Sequence, residues 1–157
     1  MAQGDPRVVV VIGFGEPDGG DAAVGYDVIS LLQRMGDLGC ELRVIEGNPP
    51  SGFLDDIASD SLVIFIDSVM NGAAPGTIHC LKLPSTSART RHLHSEDLPL
   101  GKAENRQPVK APRMFLIGVE VPDAAISEEP SDSVGKAVTE IVRNFARYLK
   151  LARDLTA

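Results

Sequence analysis

Cysteine is nearly absent: Cys40 and Cys80 are the only two in the chain. Two thiols build no disulfide framework, so a reduced, cytoplasmic setting is expected. Long apolar runs are missing as well. None approaches the roughly 20 residues that span a bilayer, so no membrane insertion is expected. The apolar stretch after Arg7 runs directly into a glycine-rich loop and carries no small-residue cleavage signal. It reads as a buried strand and not as a secretion signal. Positive charge is in deficit, with 15 Lys and Arg against 22 Asp and Glu, a formal net charge of -7. That balance argues against nonspecific binding to nucleic acid or to anionic lipid. There is no HExxH, no CxxC and no Gly-x-Ser-x-Gly, which removes the commonest sequence signatures of zinc peptidases, thiol redox sites and serine hydrolases.

What is present suits a globular α/β chain. The 157 residues, 43% of them apolar, are enough for one domain with a sizeable core, and residues 1–157 are read as a single domain. Arg7 to Ile12 is a β-branched run ending at Gly13, the pattern of a strand buried on both faces. Asp21 precedes a periodic stretch through Val24, Val28, Ile29 and Leu32, which predicts a helix with Asp21 as its N-cap and Gly36 and Gly39 closing it. Glu41 to Glu46 and Leu62 to Ile66 read as strands, with Phe53, Leu54 and Ile57 at helical spacing between them. Thr77 to Leu83 is a further strand. Residues 84–112 read as a long polar loop with one short helix. Met114 to Val121 is a last strand, and Ser133 to Leu151 reads as one long amphipathic helix. Strands alternating with helices predict a three-layer fold: a mostly parallel twisted sheet of about five strands with helices on both faces. Ligands in such folds bind outside the carboxyl ends of the strands.

Candidate site residues follow from that geometry. The loop Gly13-Phe14-Gly15-Glu16-Pro17-Asp18-Gly19-Gly20-Asp21 departs from a dinucleotide fingerprint, because Asp18 stands where a third glycine belongs and would repel a pyrophosphate. Three acids in one loop suit a cation better than a phosphate, although the plainer account is Asp21 as a helix cap, Asp18 as a turn residue and Glu16 solvated. Asp67 follows Leu62-Val63-Ile64-Phe65-Ile66 at the end of a central strand. A carboxylate there is partly desolvated and needs either a cation or several hydrogen-bond donors. His79 lies inside a strand and reads as an edge or packing residue. His92 and His94 lie in the polar stretch, where no core explains them. Each is either a surface imidazole or a ligand for a borderline metal.

The run Val11 to Gly25 resembles the opening of the hydrogenase maturation proteases, G-x-G-N-x-x-x-x-D-[DE]-[AG]-[IV]-G, without a gap. Leu62 to Val69 followed by Ala74-Pro75-Gly76-Thr77 resembles that family's second block. Leu116-Ile117-Gly118-Val119-Glu120-Val121-Pro122 resembles its last strand. The resemblance implies a cytoplasmic endopeptidase that removes a short C-terminal extension from a nickel–iron hydrogenase large-subunit precursor after nickel insertion. Nickel is then carried by the substrate, and other divalent metals can occupy the site. Three metal-coordinating side chains are implied. One carries over to Asp67, and a histidine carries over to His94, which has Leu98 four residues on as the family pattern has. The third, the second acid of the D-[DE] pair, falls on Ala22, which cannot bind a metal, and the family's Asn falls on Glu16. Glu16 is expected to take the place left by Ala22, with Asp21 as the substitute if Glu16 faces solvent. The alternative is a non-catalytic relative that holds a partner's C-terminus as a chaperone-like module.

Overall fold

Five strands form the central sheet of the computed structural model, which describes residues 8–84, 89–91, 97–99, 111–122 and 131–157. The strands are β1 (Val9–Phe14), β2 (Glu41–Ile45), β3 (Leu62–Val69), β4 (Ile78–Leu83) and β7 (Arg113–Glu120), in the order β2-β1-β3-β7-β4. All neighbours are parallel except β4, which runs antiparallel along β7. Two short strands, β5 (Arg89–Arg91) and β6 (Asp97–Pro99), pair antiparallel as a separate ribbon. They occupy part of the segment that the sequence marks as loop. His92 and His94 lie outside the described residues.

Strand alternation sends side chains to two cores. On one face Val9, Val11, Leu62, Ile64, Ile66, Phe115 and Ile117 cluster with apolar residues of α1 (Val24–Gln33), α2 (Asp132–Arg143) and α3 (Phe145–Thr156). On the other face Val10, Ile12, Phe14, Val63, Phe65 and Leu116 cluster with Leu54, and Phe53 and Ile57 pack against them. Phe53, Leu54 and Ile57 come from consecutive turns and not from a regular helix. Hydrogen bonds run from Phe53 N–H to Pro50 O, from Asp55 N–H to Gly52 O and from Ile57 N–H to Leu54 O. Every residue of β1 and β3 is buried, as their unbroken apolar runs require of strands covered on both sides.

The long C-terminal helix expected from the sequence is two. α2 stops at Arg143 and α3 starts at Phe145, with Asn144 at φ -112° and ψ 28°. The Asn144 amide donates to both the carbonyl and the carboxylate of Glu140, at 3.2 and 2.8 Å, and Tyr148 Oη donates to the other Glu140 oxygen at 2.8 Å. A side-chain amide that bonds the preceding turn competes with the helical ladder there. Among the described residues, no helix is long and apolar enough to cross a membrane.

Candidate functional site at the carboxyl edge of the sheet

The sheet order splits at β1 and β3. The chain leaves β1 for β2 on one side and returns to β3 on the other, which makes the edge outside their carboxyl ends the switch point where sheets of this kind take ligands. Close packing builds this edge. A Cβ added at Gly25 would overlap Phe14 N and Ile66 O, and one added at Gly13 would overlap Gly25 O. Helix α1 therefore starts directly against the ends of β1 and β3. Between them Gly20–Ala23 wind into a 3-10 turn. Phe14 and Phe65 stack on the second face with centroids 5.8 Å apart, and Phe53 meets Phe14 edge-on.

Asp67 sits inside this apolar setting and is only 6% exposed. It lies within β3, which continues two residues past it to Val69, so it does not end the strand as the sequence suggested. Its Oδ1 accepts the Ser68 N–H at 2.8 Å. Burial pushes its carboxyl well above the usual carboxylate range, against the opposite pull of the Ser68 N–H and hydroxyl.

The acids of the first loop go elsewhere. Glu16 is exposed, with its carboxylate over Gly47. Asp21 caps neither the 3-10 turn nor α1, because it lies within the turn and not before it. Its Oδ1 instead accepts from Ser131 N–H at 2.6 Å and from Ser131 Oγ at 3.2 Å, tying the turn to the residue that opens α2. Ala22 is exposed. The structure does not gather Glu16 and Asp21 with Asp67 into a ligand set. Among the described residues, no three His, Cys, Asp or Glu side chains come together around one point.

A second buried carboxylate was not singled out from the sequence. Glu120 at the end of β7 is 2% exposed. Its Oε2 accepts Asn71 N–H at 2.8 Å, and its Oε1 lies 3.0 Å from His79 Nε2. Burial pushes its pKa up, but the Asn71 N–H, the His79 ring and the Ala73 N–H outweigh burial and hold it below the ordinary value. The signal was available: Glu120 interrupts the apolar run from Phe115 to Val121, as Asp67 interrupts its own. His79 is on the edge strand as expected, but its ring has this carboxylate for a partner. Asp67, Gly118 and His79 align across β3, β7 and β4, and alternation puts Asp67, Glu120 and His79 on the same face.

No protein-family model matches the chain, and no curated protein matches it. Solved structures do. The hydrogenase maturating endopeptidase HybD from E. coli superposes with a TM-score of 0.67 at 20% identity, covering 93% of this chain and 94% of that one. A hydrogenase 2 maturation peptidase from a Thaumarchaeota archaeon gives a TM-score of 0.67 at 24% identity, covering 92% of this chain and 99% of that one. The [NiFe] hydrogenase maturation protease HycI from Thermococcus kodakarensis gives 0.65 at 20% identity, covering 94% of each chain. The chain shares its fold with those proteins over the parts that superpose.

Proposed function

We propose that this chain is an endopeptidase that trims the C-terminal extension from a nickel–iron hydrogenase large-subunit precursor once nickel has been inserted. The observation that carries the reading is the buried Asp67 carboxyl at the β1–β3 switch point, in a fold shared with named hydrogenase maturation endopeptidases. Nickel arrives as part of the substrate, and a cytoplasmic location goes with that partner. Asp67 and His94 are the residues proposed to meet the metal, and other divalent ions can take the same donors. A cation held there would polarise a carbonyl or activate a water. The chain's own contribution is to orient one carboxylate oxygen through Ser68 N–H and to keep water away through Phe14, Phe53 and Phe65.

A second reading rests on Ala22, exposed where the resembling family has an acid. On it the chain is a non-catalytic relative that binds the precursor's C-terminus. One experiment separates the two. Nickel-loaded and nickel-free precursors are incubated with the wild-type chain and with Asp67→Ala, and intact masses are recorded. A C-terminal mass loss confined to nickel-loaded precursor and wild-type chain is expected, with the Asp67→Ala chain still folded. Stable binding by the wild-type chain without mass loss would establish the second reading.

A further inference from the structure

The loop between β3 and β4, residues 70–77, leaves the sheet three residues after Asp67. Met70, Asn71, Gly72, Ala74 and Pro75 are exposed, so its outer surface is available to a partner. From within, Glu120 makes most of the bonds between this loop and β7. The Glu120 carboxylate takes Asn71 N–H on one oxygen and the His79 ring on the other, and also bonds Ala73 N–H. The Glu120 backbone holds the far end of the same loop, its O accepting Gly76 N–H and its N–H donating to Thr77 O, both at 2.8 Å. The start is fixed by the next residue, whose N–H donates to Val69 O at 2.9 Å. A loop tied at both ends by backbone bonds needs no buried charge to stay attached. The carboxylate adds definition to its middle, where Asn71 and Ala73 would otherwise be free to turn their N–H groups to water.

We propose that Glu120 is a positioning residue: with His79 it pre-forms the 70–76 loop as the wall against which the precursor's C-terminal segment is laid beside Asp67. The inference rests on the function proposed above. The wall and Asp67 belong to one continuous strand exit. A wall set before binding spares the complex the cost of ordering the loop, so its loss falls on binding more than on the chemical step.

The test measures KM and kcat for trimming of nickel-loaded precursor, together with hydrogen exchange at the loop amides. Glu120→Ala should raise KM about tenfold, the order expected for losing hydrogen bonds to a charged group, while kcat stays within about threefold. Exchange at Asn71 and Ala73 should accelerate while β1 and β3 keep their protection. Glu120→Gln should recover most of the affinity, because its amide oxygen still accepts the Asn71 N–H. If Glu120→Ala does not fold, His79→Ala removes one contact and leaves the rest, and a KM rise of about threefold is expected. Faster loop exchange with unchanged KM would overturn the proposal, and so would loop exchange that does not change. If the wild-type chain binds precursor without trimming it, the endopeptidase reading fails separately, and the same ratios are read from dissociation constants.

Discussion

Buried and exposed acids in this chain differ in what they cost and what they do. Asp21 and Glu16 belong to one loop, yet Asp21 accepts two hydrogen bonds from Ser131 and Glu16 is exposed. Asp21→Ala should lower stability by about 1–3 kcal/mol, since it strands the Ser131 N–H and hydroxyl at the start of α2. Glu16→Ala should stay within about 0.5 kcal/mol of wild type, as a surface substitution does. Urea midpoints for the two variants check this, and equal midpoints would mean the Asp21–Ser131 link carries no stability. Nothing in the local sequence separates the two acids. The partner of Asp21 lies 110 residues away, so only the folded chain could reveal it.

At the scale of elements, the decisive contact is the meeting of β1 with α1. Gly13 and Gly25 let strand and helix touch at the backbone, which brings the 3-10 turn over the end of β3. Gly25→Ala should cost several kcal/mol, in the upper part of the range for overpacking, because the added carbon would meet backbone atoms that cannot move aside. Gly135 is the control. It lies inside α2 with nothing within 4 Å of its added Cβ, so Gly135→Ala should stabilise by about 0.5–1 kcal/mol. Thermal melts of the two variants should therefore move in opposite directions, and a shared direction would refute the assignment of close approach to Gly25. The glycine spacing was legible beforehand, but the reason for it was not, since it depends on which helix face lies against which strand. The break at Asn144 was hidden for a related reason. Ile141, Phe145 and Leu149 keep an i, i+4 rhythm across it, and all three join one core, so the apolar pattern runs on while the backbone does not.

For the whole molecule, two buried carboxyls set opposite trends with pH. Glu120 titrates below its ordinary value, so it adds stability above the unfolded-state pKa and loses it as pH falls through the folded-state value. Asp67 titrates well above its ordinary value, so the folded state holds its proton longer. That contribution is full below the unfolded-state pKa of Asp and is lost as pH rises through the folded-state value. Half-buried Asp27, raised by burial, acts in the same sense as Asp67. Asp67→Asn should accordingly gain on wild type as pH rises, by up to about 1.4 kcal/mol per pH unit while the group titrates. Urea unfolding of both chains from acid to mildly alkaline pH reads the difference directly, and parallel curves would contradict it.

The amino-acid sequence by itself determined the α/β class, the five-stranded sheet and the burial of Asp67. Each of these follows from apolar runs and turn residues that act over a few neighbours. Only the tertiary structure decided that Asp21 bonds the residue that opens α2, and that the Glu120 carboxylate bonds both the loop after β3 and the His79 ring. Those outcomes depend on pairings between residues distant in sequence. Hydrogen bonds and burial that form across β3, β7 and β4 exist only once the strands are side by side, and no local pattern encodes which strand will be the neighbour.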